Sequence, residues 1–336
     1  MTVRWKLPER SCRRRANVTI ASYGTVWDGS AELVSTATAG PGAGPTGGEL
    51  AARHGLGIAG ARPSLVSYTR QLWSYRHFIA TYASSIISAS FSKSKLGRLW
   101  QVLTPLSNAA VYYLIFGIII NTGRGVPNFI AYLCIGIFTF GFIAQSATQG
   151  VAAVTKNITM IRALHFPRAT VSLATTWTQL QNFLAALVVL VFIALASGEP
   201  VSWAWVMIPP LVVLMLMFNI GLGFVMARIG NKLTDLKQLL PFVTRTWMYM
   251  SGVLYSVTKF DANLPGPLAT VAKLNPAVVF IEIMRHALLR KPEDLKADAW
   301  LWSPMVTWTI ALAWGVGMLL VGYVYFWRGE EEYGRG

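Results

Sequence analysis

Acidic side chains are the conspicuous shortage in this sequence: none occurs between Glu49 and Glu199. Carboxylate-bound metals, paired-acid glycosyl transfer and most proton-coupled carriers draw on such groups, so residues 50–198 offer that chemistry nothing. Charge of either sign is scarce as well, at 13% of residues against about 25% in an average soluble domain. That deficit is too large for a fully solvated surface. Cysteine is limited to Cys12 and Cys134, which gives neither a disulfide framework nor a metal spacing. The histidines His54, His77, His165 and His286 are scattered and form no ligand pair. No Gly-Lys pair occurs anywhere, which excludes the phosphate-binding loop of nucleotide hydrolases. No secretory signal is visible, because the first strongly apolar stretch begins near Val102 and no apolar core follows Arg13-Arg14-Arg15.

What the chain has in excess is apolar residues, 54% of the total, gathered into long runs rather than spread at helix or strand periods. A hydrocarbon core of about 30 Å needs about 20 apolar residues in a helix. Six runs are candidates: Val102–Ile120, Phe129–Thr148, Val171–Ala196, Trp203–Ala227, Leu239–Val257 and Pro304–Trp327. The fourth contains Pro209-Pro210, which predicts a kink near its outer end, and the fifth contains Pro241 and Arg245. The formal net charge of +15 is concentrated in alternate connections. Arg70, Arg76, Lys93, Lys95 and Arg98 precede the first run, and Lys156, Arg162 and Arg168 separate the second from the third. Arg228, Lys232 and Lys237 stand against Asp235 before the fifth, whereas residues 121–128 carry only Arg124 and residues 197–202 carry no base. This bias places both termini on the cytoplasmic side. The basic balance is thus accounted for by topology and does not call for nucleic acid.

Outside the spans, residues 1–64 form a basic tail, rich in Gly, Ala, Pro and Thr over 37–60, with no periodicity. The tail is either a translated extension or the product of a misassigned start. Over 65–90, Leu72, Tyr75, Ile79, Tyr82 and Ile86 share one helical face, with Arg70 and Arg76 close by. This predicts an amphipathic helix at the headgroup level, or else one packed on a partner. Residues 259–292 hold two short apolar stretches, Leu268–Leu274 and Val278–Leu289, too short to span and expected to dip into the outer leaflet. Arg245 is the charge that the fifth run carries into the membrane. It either holds an anionic headgroup or snorkels to the cytoplasmic surface. Tyr112, Tyr113, Phe116, Phe138, Phe142 and Trp177 either line a path on which sugar rings can pack or face lipid.

Three segments carry a family resemblance. Phe91-Ser-Lys-Ser-Lys-Leu-Gly-Arg-Leu-Trp100, running on to Thr104-Pro105-Leu106, leads into the first span. Ile161-Arg-Ala-Leu-His-Phe-Pro-Arg168 forms the first cytoplasmic loop, and Met250-Ser-Gly-Val-Leu-Tyr255 is followed by Leu274-Asn-Pro276 and Arg285. In this order they resemble permeases of type-2 ABC exporters, most of all those for O-antigen, teichoic acid and galactan, over about residues 65–330. One departure is Ser88-Ala-Ser-Phe-Ser92, where many relatives carry an acid and a basic cluster. The resemblance implies an all-α integral membrane domain over 65–336. It would have six transmembrane helices, an amino-terminal interface helix and a short re-entrant extracytoplasmic pair. It also implies a homodimeric channel in a bacterial cytoplasmic membrane with two separate ATP-binding subunits, which would carry the ATP and Mg while this chain holds no cofactor. Residues 155–168 would form the coupling element, with Ile161, Arg162, His165, Phe166, Pro167 and Arg168 against the ATPase and Phe166 an exposed apolar anchor.

The expected cargo is a lipid-linked polysaccharide. A drug or small-lipid efflux permease of the same superfamily is the nearest alternative. A membrane glycosyl- or acyltransferase would need a catalytic acid or histidine beside a span, where only His165, Asp235, Asp261, Glu282 and His286 stand close. A purely structural membrane scaffold is the remaining class.

Overall fold

In the computed structural model, residues 64–92, 94–119, 128–163, 166–233, 235–255, 265–289 and 302–330 are described. The tail 1–63 falls outside them. The described residues are helical, without a strand among them, and belong to the unit Ile58–Gly336. α1 (Leu65–Ser74) and α2 (Arg76–Phe91) are two segments of the expected amphipathic helix, broken at Tyr75. α3 (Trp100–Tyr112) contains Pro105 and continues as a widened π-helical stretch, Tyr113–Ile119. α4 (Phe129–Lys156) leads through α5 (Ile158–Ala163) to α6 (Ala169–Ala196). α7 (Ile208–Lys232), α8 (Leu236–Met250), α9 (Gly266–Leu274), α10 (Pro276–Leu288) and α11 (Pro304–Arg328) complete the order.

Five spans are long and apolar enough to cross a bilayer, and the bent pair α9–α10 brings the number to six if it is taken as one. Two features differ from expectation. Pro209 and Pro210 do not kink the fourth span; they occupy the first turn of α7, after the tight turn Trp203–Met207, where their missing N–H groups leave no helical bond unmade. The expected fifth span, Leu239–Val257, is α8, whose 15 residues reach about 22 Å before Gly252, at φ +60°, turns the chain away. α8 buries little beyond Leu240, and Arg245 lies on its exposed side.

The bundle is built on α4, α7 and α11. α7 and α11 meet at Gly221 and Gly322, where a Cβ on either would overlap the other helix's backbone, so the two main chains touch. Phe218 on α7 places its ring edge-on to Phe280 of α10 at 5.5 Å and to Trp314 of α11 at 6.2 Å. α3 stands apart: only 6% of its apolar window is buried within the chain, so most of its surface awaits lipid or another protein.

The bent pair turns by 72° at Asn275. The Asn275 side chain caps α10 through the Ala277 N–H at 3.1 Å, accepts from Trp247 Nε1 at 2.9 Å and donates to Ser251 Oγ at 3.1 Å. α10 is buried along its length and carries Arg285, whose side chain is 4% exposed. One guanidinium nitrogen donates to the carbonyls of Gly252 and Val253, both at 3.0 Å. The guanidinium carbon lies 3.5 Å from the Tyr132 ring centroid, and Glu282 is 3.7 Å away. The bare backbone of Gly136 makes room for this, since a Cβ there would stand 2.9 Å from the Val253 carbonyl and 3.0 Å from the Arg285 guanidinium. Arg285→Ala should therefore destabilise the detergent-purified chain by about 3 kcal/mol, as two carbonyls and one carboxylate lose their partner. Gly136→Val should approach the same loss by overlap, both read as a lowered melting temperature. An unchanged melt for Arg285→Ala would show that the turn is held by something else.

Candidate substrate cavity and cytoplasmic coupling surface

Among the amides, spacing places side chains on common faces. Gln101 and Asn108 are seven residues apart on α3, Gln145 and Gln149 four apart on α4, and Gln179 and Asn182 three apart on α6. These three stripes converge, with α2 as a fourth wall, on a cavity of about 460 Å³. Aromatic rings from Trp100, Phe138, Phe142 and Phe183 share the lining, and Phe142 stacks on Phe183 with centroids 4.9 Å apart and planes within 9°. Gln101 Nε2 donates to Asn182 Oδ1 at 3.0 Å, and Asn182 Nδ2 donates to Gln179 Oε1 at 3.3 Å. Amides in an apolar surrounding cost free energy unless bonded, so a concentration of them at one place marks a space meant for a polar occupant or water.

Of the aromatic and basic residues expected along a substrate path, the structure brings only Phe138 and Phe142 to this cavity. Tyr112 and Phe116 stack on each other at 6.2 Å in the outward part of α3, beside Tyr113, and pack against the main apolar core. Trp177 is 38% exposed and stands next to the lining residue Thr178, while Arg245 is on α8, away from the cavity. The six amides were the signal to follow, because an aromatic ring in a membrane protein has many reasons to be present and an amide has few.

The end of the bundle that carries α1 and the last residues of α11 is tied together by a carboxylate. Glu330, just past α11, accepts at Oε2 from the Tyr68 hydroxyl of α1 at 2.8 Å and at Oε1 from the Arg168 N–H at 3.1 Å. The Tyr68 oxygen in turn accepts from the Ala169 N–H at 3.3 Å, and the Arg168 guanidinium donates to the Glu330 carbonyl. Beside this clasp Phe166 is half-buried, with its ring 6.3 Å from Tyr75 and 5.6 Å from Phe78. Phe78 stacks on Tyr82 at 5.6 Å, and the Tyr82 hydroxyl donates to Asn157 Oδ1 at 2.7 Å. The expectation of a freely exposed Phe166 is therefore not met: its apolar surface is taken up by the chain's own amphipathic helices. Ile161 and Pro167 are likewise buried, and among the described side chains of this loop Lys156 and Thr159 are the exposed ones. His165 and the side chain of Arg162 fall outside the described residues.

The same contacts show where the amphipathic face points. Tyr68, Leu72, Tyr75, Ile79 and Tyr82 turn toward the loop and the bundle, while Arg70 and Arg76 are exposed. Arg76 sits over the Trp73 ring at 5.5 Å, and Trp73 and Val66 are 70% and 80% exposed, so the outward side is where this helix pair can meet a bilayer.

Burial raises the Glu330 carboxyl above its ordinary value of 4.5, outweighing the Arg168 N–H, the Tyr68 hydroxyl and the Arg168 charge that pull it down. Burial, followed by the Glu330 charge, raises the Tyr68 hydroxyl well above 10.0. The folded chain therefore holds the Glu330 proton more tightly than the unfolded chain does. The stability this group contributes is full below the unfolded value and is lost as pH rises through the raised one. The melting temperature of the wild type relative to Glu330→Gln should accordingly fall as pH rises above 4.5, and a difference that stays flat would show that the Glu330 carboxyl is not raised by folding.

Comparison with known proteins agrees with this architecture. Residues 78–289 match the family described as ABC-2 type transporter. The O-antigen export system permease protein RfbA of Myxococcus xanthus is 24% identical over 64% of this chain and 81% of its own length. The Klebsiella pneumoniae protein of the same name is 26% identical over 58% and 73%. The polysialic acid transport protein KpsM of Escherichia coli is 20% identical over 60% and 78%. The family match runs from α2 through α10 and takes in the cavity, residues 155–168 and the buried turn, and this chain belongs to the ABC-2 type transporter family, as a multi-span membrane permease subunit whose ATPase is a separate chain.

Proposed function

We propose that this chain is the permease half of an ATP-driven exporter that carries a lipid-linked polysaccharide out across a bacterial cytoplasmic membrane. The observation that carries the reading is the cavity: amides and stacked rings together suit a sugar, which presents hydroxyls at its edge and C–H groups on its faces. A drug or small-lipid efflux permease would have no use for six amides at one place. The export functions printed for the relatives point the same way. Two copies are assumed to act together. The bareness of α3 supports this, as does Arg245, which is better housed in a watered path between two copies than in lipid. ATP and Mg belong to the partner subunit.

Residues 155–168 are taken as the coupling element, seated on that subunit through Lys156 and Thr159 and supported from behind by Phe166. Movement of the ATPase would then reach the amphipathic helices directly through the Phe166, Tyr75 and Phe78 rings. Purified free of other subunits, the chain should neither bind nor hydrolyse ATP. In the assembled transporter, Phe166→Ala should lower export per ATP hydrolysed and also lower the melting temperature, because its loss opens a gap under the loop. Normal coupling in a properly folded Phe166→Ala variant would remove this loop from the role.

The orientation has its own test. With the coupling loop inside, an impermeant maleimide applied to intact cells should label Val201→Cys, which replaces a residue 69% exposed in the loop before α7. Thr159→Cys should react only after the membrane is opened. Labelling in the reverse pattern would invert the topology.

A further inference from the structure

We propose that the cavity between α2, α3, α4 and α6 is a binding site for an uncharged pyranose unit, and that it selects against acidic sugars and polyol phosphates. This rests on the exporter reading and narrows its cargo to neutral glycans.

The wall chemistry makes the case. None of the described residues lining the cavity is charged. An anionic sugar placed there would give up water and gain no cation, a large penalty at membrane depth. Three of the six amides satisfy one another through Gln101, Asn182 and Gln179. Among the described residues, Asn108, Gln145 and Gln149 have no hydrogen-bond partner within the chain. Gln145 and Gln149 are one turn apart on the same side of α4 and therefore present two amides side by side. An amide offers donors and acceptors together, which matches a pair of neighbouring hydroxyls, since each hydroxyl also does both. A carboxylate or phosphate only accepts, and would leave the amide oxygens facing its own charge.

The rings supply the other half of the recognition. Phe142 and Phe183 stack on each other and, with Phe138, are buried in the wall, while Trp100, 39% exposed, is the lining ring open to the C–H face of a sugar. An acyl chain could use these rings but would strand the amides without partners. The volume of about 460 Å³ lies within the range of about 300–1,000 Å³ usual for small-ligand sites. The α2 wall, with Ile87 and Ser90, belongs to the amphipathic helix pair, so the cavity adjoins the element best placed to receive a membrane-bound carrier.

The test uses the full chain assembled with its ATPase subunit in nanodiscs, and three probes. These are undecaprenyl pyrophosphate bearing a neutral hexose trisaccharide, the same lipid ending in glucuronic acid, and the carrier without sugar. The neutral glycan should bind at least about tenfold more tightly than the acidic one, because the acid would sit unpaired. Gln145→Ala and Gln149→Ala should each weaken the neutral glycan by about three- to tenfold, the worth of one amide's bonds. Gln149→Lys should bring the acidic glycan to parity or beyond. Should that variant fail to insert, Gln145→Lys, at a more exposed position, carries the same test. Equal affinity for the two glycans, or indifference of the acidic one to either lysine, overturns the proposal. Binding of the bare carrier as tightly as the neutral glycan makes the cavity an acyl-chain site and overturns it too. If none of the three lipids binds while the ATPase still associates, the exporter reading itself falls.

Discussion

A buried guanidinium needs partners in the protein, and one nitrogen of Arg285 finds two in the backbone. The carbonyls of Gly252 and Val253 are freed because α8 ends at Ser251, and a turn with an exposed carbonyl pair would be costly in an apolar medium without a donor. The arginine and the chain break therefore stabilise each other. Gly136 leaves the space, Tyr132 closes over the cation, and Asn275 pins the next corner through Trp247 and Ser251. With that corner fixed, α10 is buried along its length and α9 leaves it at 72°.

Much of the architecture could be read directly from residue order. Runs of about 20 apolar residues admit few structures in a membrane, and the positions of lysine and arginine suggested their direction. The misreadings have local causes. Pro209 and Pro210 suggest a kink when counted inside a run, yet at the head of α7 they favour the helix. Arg285 was visible as part of a motif, but its partners are main-chain carbonyls, which look the same beside every residue type. Phe166 looked exposed because its ring contacts, Tyr75 and Phe78, lie nearly ninety residues away in sequence. Phe138 and Phe142 were expected at a substrate path and do line the cavity, whereas Tyr112, Tyr113, Phe116, Trp177 and Arg245 do not. Rings serve core, lipid and ligand alike, so their presence could not sort them.

The end of the bundle at Glu330 shows the same economy of connection. Glu330 uses both carboxylate oxygens and its carbonyl, and so joins α1, the start of α6 and the end of α11 at one residue. The amphipathic helices are thus fastened at Tyr68 by polar bonds and at Tyr75 and Phe78 by ring packing. Between these two fastenings, α1 and α2 cannot respond to the bilayer independently of the loop they cover. A displacement of the loop would therefore be felt in both helices, through Phe166 and through the Glu330 bonds to Tyr68 and Arg168.

The contact between Gly221 and Gly322 has a mechanical corollary. Two helices whose main chains touch cannot slide along each other without first separating, because each carbonyl ridge sits in the gap left by the other's missing side chain. α7 and α11 therefore behave as a stator. The stroke of a transport cycle has to be taken up by parts that are not locked in this way. α3 is the least locked of the spans: little of it is buried within the chain, and it is interrupted by Pro105 and widened over Tyr113–Ile119.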